Sequence, residues 1–109
     1  RLESINHVNF PLNLKILSLK NNQLNFLDLT ILTRLDHLEK VFLSSNKLSQ
    51  ISPSTRNVFP SLEVLEFDRN HLAFLPSFNA PKLKQLNLDG NFFGRKLNRK
   101  IFVNLPALE

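Results

Sequence analysis

The apolar residues of this chain recur in a pattern that fits neither a helix nor a plain strand. In LEVLEFDRNHL at 62–72, leucine or phenylalanine stands at the first, fourth, sixth and last positions, with charged residues between them. An asparagine, Asn70, stands two places before the end. Helical spacing does not explain this series, and strict strand alternation covers only its middle. The pattern therefore predicts a short strand followed at once by a turn.

The same pattern occurs four times along the chain. The other three copies are LKILSLKNNQL at 14–24, LEKVFLSSNKL at 38–48 and LKQLNLDGNFF at 83–93. The copies begin at Leu14, Leu38, Leu62 and Leu83, so the steps between them are 24, 24 and 21 residues. A fixed period in this range is typical of a solenoid, in which each repeat buries its apolar edge against its neighbours.

The shared pattern L-x-x-L-x-L-x-x-N-x-L resembles that of the leucine-rich repeat family, and the match covers nearly the whole chain. The resemblance implies an α/β solenoid: a leucine-rich repeat horseshoe arc with a parallel concave β-sheet and short helical, 3₁₀ or extended segments on the convex side. The 24-residue period is similar to that of the "typical" subfamily, which is common in animal extracellular receptors of the Toll-like and insect immune type.

We predict a single array over 1–109, cut from a longer one. Its divisions are the back half of a repeat at 1–13 and repeats at 14–37, 38–61, 62–82 and 83–107. Residues 108–109 would open a further repeat; alternatively, 94–109 forms a cap-like segment. With uncapped ends, the apolar end residues are expected to face water and to favour self-association. These residues are Leu2, Ile5, Leu105 and Leu108.

Strands are predicted near 16–20, 40–44, 64–68 and 85–89. Because successive side chains of a strand point to opposite faces, Leu65 and Phe67 are expected to face the core. Their counterparts in the other copies are Leu17, Leu19, Val41, Leu43, Leu86 and Leu88. A polar substitution at any of these positions is expected to be costly, since each buried side chain contributes roughly 1.5–3 kcal/mol.

The asparagine of each copy is predicted to be structural. The turn after the strand leaves backbone groups inside the solenoid, and an asparagine side chain offers both a donor and an acceptor to pair with them. A ladder of such bridges between adjacent repeats is expected. Its members are Asn22, Asn46, Asn70 and Asn91.

The outward positions of the strands are free of core packing and form three rows on the predicted concave face. The rows are Ile16, Lys40, Val64 and Gln85; Ser18, Phe42, Glu66 and Asn87; and Lys20, Ser44, Asp68 and Asp89. We predict that a protein ligand or co-receptor binds this face. The candidate contact residues are Phe42, Ile16, Lys40, Val64, Glu66, Asp68 and Asp89.

Two features of that face carry the prediction, and each has a plainer explanation. Phe42, with Ile16 and Val64 diagonal to it, is expected to form an exposed apolar patch of the kind that marks protein contacts. A single exposed aromatic residue is also ordinary. Glu66, Asp68 and Asp89 form an acidic cluster on a chain of net charge +5. Three carboxylates also keep a surface soluble.

The remaining chemistry excludes more than it indicates. The three histidines lie in different repeats and no cysteine is present, so no metal-ligand cluster has a diagnostic spacing. No catalytic or nucleotide-binding motif occurs, which predicts a non-enzymatic protein without cofactors. The basic run Arg95, Lys96, Arg99 and Lys100 is interpreted as a solvated face rather than a nucleic-acid site. No apolar run is long enough to insert into a membrane.

Two classes of function remain. The first is a recognition module of a secreted or cell-surface receptor of the innate-immune type, at an extracellular or cell-surface location. The second is an intracellular scaffold or regulatory subunit in the cytoplasm. The chain has neither cysteine nor an N-x-[ST] sequon, which is compatible with both compartments.

Overall fold

The chain forms short parallel strands stacked from repeat to repeat. The structure, a computed structural model, describes residues 4–5, 8–54, 58–93 and 105–108. In chain order, its elements are β1 (Ile16–Ser18), β2 (Phe26–Asp28), α1 (Thr30–Thr33), β3 (Lys40–Phe42), β4 (Gln50–Ser52), β5 (Val64–Glu66) and β6 (Gln85–Asn87). A four-stranded sheet has the order β1-β3-β5-β6, and a two-stranded sheet joins β2 to β4. The predicted solenoid is confirmed.

The four-stranded sheet is held in a single register. Leu17 pairs with Val41, Val41 with Leu65, and Leu65 with Leu86, all in parallel. The first three of these side chains are buried in the core, and Leu86 on the last strand is half-buried against it. Phe67, the next inward position after Leu65, is also buried, so the two faces are assigned as predicted.

Each strand is two residues shorter than predicted, although hydrogen bonding between repeats continues beyond it. The N–H of Leu43 donates to the carbonyl of Glu66 at 2.8 Å, and the N–H of Ser45 donates to the carbonyl of Asp68 at 3.0 Å. Equivalent pairs join the repeats on either side. The chain stops being extended because the residue before each ladder asparagine has a left-handed backbone.

This left-handed position recurs in all four copies. The φ angles are 59° at Asn21, 58° at Ser45, 58° at Arg69 and 68° at Gly90. Glycine adopts this conformation freely and asparagine tolerates it, whereas serine and arginine adopt it at a steric cost. At Ser45 and Arg69, the surrounding hydrogen bonds therefore hold the left-handed turn in place against this steric cost.

The asparagine that follows the turn connects its own repeat to the preceding one. The Nδ2 of Asn70 donates to the carbonyl of Leu43 in the preceding repeat at 3.0 Å and to the carbonyl of Phe67 in its own at 2.8 Å. Its Oδ1 accepts the N–H of Leu48 at 3.0 Å. Asn70 is only 2% exposed, so these three backbone groups have little access to water.

The same geometry recurs at two further asparagines. Asn46 donates to the carbonyls of Leu19 and Leu43 at 2.9 and 3.0 Å and accepts the N–H of Leu24 at 3.1 Å. Asn91 donates to the carbonyls of Phe67 and Leu88 at 3.0 Å each and accepts the N–H of Leu72 at 2.9 Å. Asn22 donates to the carbonyls of Leu19 and Lys20 in its own repeat.

The opposite side of the array holds short segments of differing kind. After Leu24 come β2 and the four-residue helix α1, as expected for a short helical turn, and β2 pairs in parallel with β4 of the next repeat. The sequence did not predict this second sheet. Its middle residues Leu27 and Ile51 are buried. Further along, Phe59 and Phe78 pack edge to face in the core, with ring centroids 5.6 Å apart.

The expectation that the end residues face water is wrong for those that the structure describes. Ile5 is fully buried, Leu105 is buried and Leu108 is half-buried, all packed in or against the core. Their burial removes the reason for expecting self-association through these residues. Leu2 lies outside the described residues, as do 94–104, so neither the basic run nor the choice between a cap and a further repeat is addressed by the structure.

Replacing Asn70 with alanine is expected to destabilise the fold by about 1–3 kcal/mol, because buried backbone groups of two repeats lose their partners. The free energy of unfolding is measured by urea titration. Asn25→Ala is the matched control, since Asn25 is exposed, and it is expected to change stability by less than about 0.5 kcal/mol. Equal effects of the two substitutions would contradict the role of the ladder.

Replacing Ser45 with glycine is expected to stabilise the fold by about 0.5–1 kcal/mol, because relief of left-handed strain exceeds the added flexibility of the unfolded chain. Thermal melts of this variant and of Ser45→Ala provide the measurement. Alanine keeps the Cβ atom and therefore the strain, so it should bring no such gain. If both variants gain equally, strain at this position is not the cause.

Candidate functional site

The outward side chains of the four-stranded sheet stand in rows across the repeats. The pairing of the strands aligns Ile16, Lys40, Val64 and Gln85 in one row and Ser18, Phe42, Glu66 and Asn87 in the next. A third row lies just beyond the strand ends, where the repeats are still joined by backbone hydrogen bonds. It consists of Lys20, Ser44, Asp68 and Asp89. The candidate contact residues thus lie on one continuous face.

Phe42 lies at the middle of this face but is less exposed than the sequence predicted. Its side chain is half-buried, and the Nζ atom of Lys20 lies 4.9 Å from the centroid of its ring. Ile16, diagonal to it, is 55% exposed, while Val64 is half-buried. The exposed apolar patch is therefore smaller than expected, because a long cationic side chain from the neighbouring repeat lies over the ring.

Two of the three predicted carboxylates are joined through one serine. The hydroxyl of Ser44 lies 2.5 Å from Oδ1 of Asp68 and 3.3 Å from Oε1 of Glu66. A hydroxyl donates one hydrogen, and the shorter distance assigns it to Asp68. Ser44 is buried, so this contact fixes the carboxylate of Asp68 against the sheet. Asp89, the third carboxylate, is exposed at the next position of the row.

Cationic side chains lie beside both carboxylates. The Nζ of Lys20 is 3.6 Å from Oε1 of Glu66, and the Nε of Arg69 is 4.0 Å from Oδ2 of Asp68. The side chains of Lys20 and Arg69 are 46% and 79% exposed, so these pairs are screened by water and contribute little to stability. The acidic cluster predicted from sequence is therefore a mixed network of acids, bases and a serine.

A second surface feature lies outside the sheet and was not predicted. The rings of His71 and Phe92 stack with centroids 5.6 Å apart and an angle of 17° between their planes. Phe92 is 65% exposed, and Phe74, also outside the sheet, is 59% exposed. His71 and Phe92 directly follow the ladder asparagines Asn70 and Asn91 of adjacent repeats. The alignment of the repeats in the sequence would therefore have been enough to predict that the two rings are neighbours.

The described residues carry little that points to catalysis or metal binding. In the ranges that the structure describes, no three histidine, aspartate or glutamate side chains are grouped so as to hold a metal ion. His37 and His71 belong to different repeats, and His7 lies outside the described residues. Over the same ranges, the helices fall short of the length and apolar character that a membrane span requires.

Known proteins match this chain along most of its length. The family model described as "Leucine rich repeat" matches residues 12–72. Toll-like receptor 9 of Mus musculus is 33% identical over 107 residues, which are 93% of this chain and 10% of that protein. Podocan-like protein 1 of Mus musculus is 34% identical over 100 residues, which are 90% of this chain and 18% of that protein. The chain therefore spans less than a fifth of either relative.

Replacing Ser44 with alanine is expected to lower stability by about 1 kcal/mol, because a buried hydroxyl bonded to a carboxylate is lost. Ser18→Ala is the matched control on the same face, since Ser18 is exposed. Both are measured by urea titration. An effect of Ser44→Ala no larger than that of the control would show that the serine does not organise the carboxylates.

Proposed function

The chain belongs to the leucine-rich repeat family, and from this premise we propose that it is a recognition module binding a protein ligand or co-receptor through its concave face. Leucine-rich repeats are protein-interaction modules, so the general class of function is protein binding. The proposal assigns the chain no catalytic residue, no cofactor and no nucleic-acid partner. The proposed binding surface is the concave face of the four-stranded sheet.

The observation that carries the proposal is the composition of the concave face around Phe42. Its aromatic ring is half-buried and anchored in the sheet, with the exposed Ile16 diagonal to it and charged side chains around both. An aromatic residue surrounded by polar residues is a common layout for the energetic centre of a protein interface. The proposed contact set is Phe42, Ile16, Lys40, Val64, Glu66, Asp68 and Asp89.

We further propose that the chain is part of a secreted or cell-surface receptor of the innate-immune type. The support is its similarity to Toll-like receptor 9, a receptor by name, over 93% of this chain. Because the chain covers only 10% of that protein, this concerns the parent molecule rather than the segment itself. A secretion signal in the parent chain, or disulfide-bonded flanking segments, would be decisive evidence.

An intracellular scaffold or regulatory subunit is the second candidate. It would use the same concave face, and the lack of cysteine and of glycosylation sequons in this chain is compatible with it. Expression of the full-length parent with a C-terminal tag distinguishes the two. Surface labelling of intact cells is expected if the receptor proposal is right, and labelling only after permeabilisation would favour the scaffold.

Truncating Phe42 to alanine is expected to weaken binding of a true partner by about 1–3 kcal/mol. Partners are first sought by presenting the chain as a tetramer to arrays of purified proteins, and each hit is then titrated with the variants. Phe74→Ala is the matched control, because it removes the same ring from an exposed position outside the sheet. It should leave the affinity unchanged.

A thermal melt accompanies each titration. Since the ring of Phe42 is half-buried, its loss should lower stability modestly, by about 1 kcal/mol and less than truncation in the core. Hits that lose affinity with Phe74→Ala but retain it with Phe42→Ala would move the binding site from the concave face to the surface near His71 and Phe92, and would refute the proposal.

A further inference from the structure

The ammonium group of Lys20 lies between an aromatic ring and a carboxylate that both belong to later repeats. Its Nζ is 4.9 Å from the centroid of Phe42 and 3.6 Å from Oε1 of Glu66. A cation above an aromatic face is attracted by the ring, and the carboxylate adds a favourable charge. Phe42 and Glu66 thus form a subsite that accepts an ammonium group from within the chain.

The two sides of this contact differ in how firmly they are held. Phe42 and Glu66 are paired in register on adjacent strands, and the serine hydroxyl beside them contacts both Glu66 and Asp68. Lys20 reaches the subsite on a flexible stem, and its side chain remains 46% exposed. Interactions of an exposed cation with a ring or a carboxylate are weak, so Lys20 can leave at little cost.

The charge around the subsite selects the chemistry of what replaces Lys20. The chain as a whole carries a net charge of +5, which by itself would favour acidic partners. At this point of the face, however, Glu66 and Asp68 stand side by side, and Asp89 follows Asp68 in its row. A lysine or arginine side chain of a partner finds here both an aromatic surface for its stem and carboxylates for its charge.

We propose that Phe42 and Glu66 form a binding subsite for a lysine or arginine side chain of the protein partner, and that Lys20 occupies this subsite when no partner is bound. The inference rests on the proposed function and adds the chemistry of the partner to it. Lys20 is then an internal competitor, which lowers affinity for weakly basic segments and yields to a well-placed basic residue.

The subsite is tested without a protein partner, by titrating N-acetyl-lysine amide into the chain and following the backbone and ring NMR signals of Phe42 and Glu66. The variant Lys20→Gln vacates the subsite, and the control Lys47→Gln removes the same charge from an exposed position outside the sheet. We expect Lys20→Gln to bind the probe about twofold or more tightly than wild type, since removing a competing state of equal population doubles the apparent affinity.

The controls separate a defined subsite from a change in overall charge. Lys47→Gln should bind the probe as wild type does. The neutral N-acetyl-norleucine amide should show no gain in affinity for Lys20→Gln over wild type, and Lys20→Gln combined with Glu66→Gln should lose the gain for the charged probe. An equal gain in Lys47→Gln, or no gain in Lys20→Gln with its fold intact by thermal melt, would overturn the proposal. Lys20→Ser, which places here the residue found at position 44, is the second variant should glutamine disturb the fold.

The affinities of protein partners for the variants distinguish the basic subsite from concave-face recognition as a whole. Partners that depend on Phe42 but whose affinity is indifferent to Lys20 and Glu66 would retain concave-face recognition and remove only the basic subsite. Partners that are insensitive to Phe42 would remove the concave face itself, whatever the small probe does.

Discussion

Adjacent repeats are held together by the side-chain amides of Asn46, Asn70 and Asn91. A solenoid must turn its backbone inside the core once in every repeat, and the polar groups at that turn cannot reach water. Asn70 satisfies a carbonyl and an N–H of the preceding repeat and a carbonyl of its own. No apolar residue of similar size can do this, since the amide of asparagine supplies two N–H donors and a carbonyl acceptor. These three hydrogen bonds therefore fix one repeat relative to the next.

This connection determines what the concave face can present. With the repeats fixed in register, Leu65 and Phe67 point inward, while Val64 and Glu66, which alternate with them, lie on the outer face. The charged residues between the apolar positions of each copy lie at the surface, where they are aligned with the side chains of adjacent repeats. Lys20, Phe42 and Glu66 belong to three different copies, yet they meet because each copy repeats the same geometry. The proposed site is in this sense a product of stacking rather than of any one segment.

The sequence predicts those parts of the structure that the repeat itself encodes. The period identified the copies, the alternating positions identified the core residues, and the asparagines were conspicuous because each copy has one in the same place. The second parallel sheet was missed because β2 and β4 are three residues long with one buried residue each, too short for a periodic signal. The left-handed turn was missed because only Asn21 and Gly90 among its four residues are of types that favour this conformation, whereas Ser45 and Arg69 are not. The position of Lys20 over Phe42 could not be predicted, because residue type does not determine the conformation of a flexible side chain.

Native-state hydrogen exchange tests whether the asparagine side chains hold the repeats together. The N–H groups of Leu24 and Leu48 donate to asparagine side chains, whereas that of Leu43 donates to the backbone of the next repeat. If the asparagines hold the repeats together, the first two should exchange only when the array unfolds, with the same free energy of opening as Leu43. Exchange of Leu24 and Leu48 at a much lower free energy, while Leu43 remains protected, would show that the repeats are joined by other contacts and that the ladder is incidental.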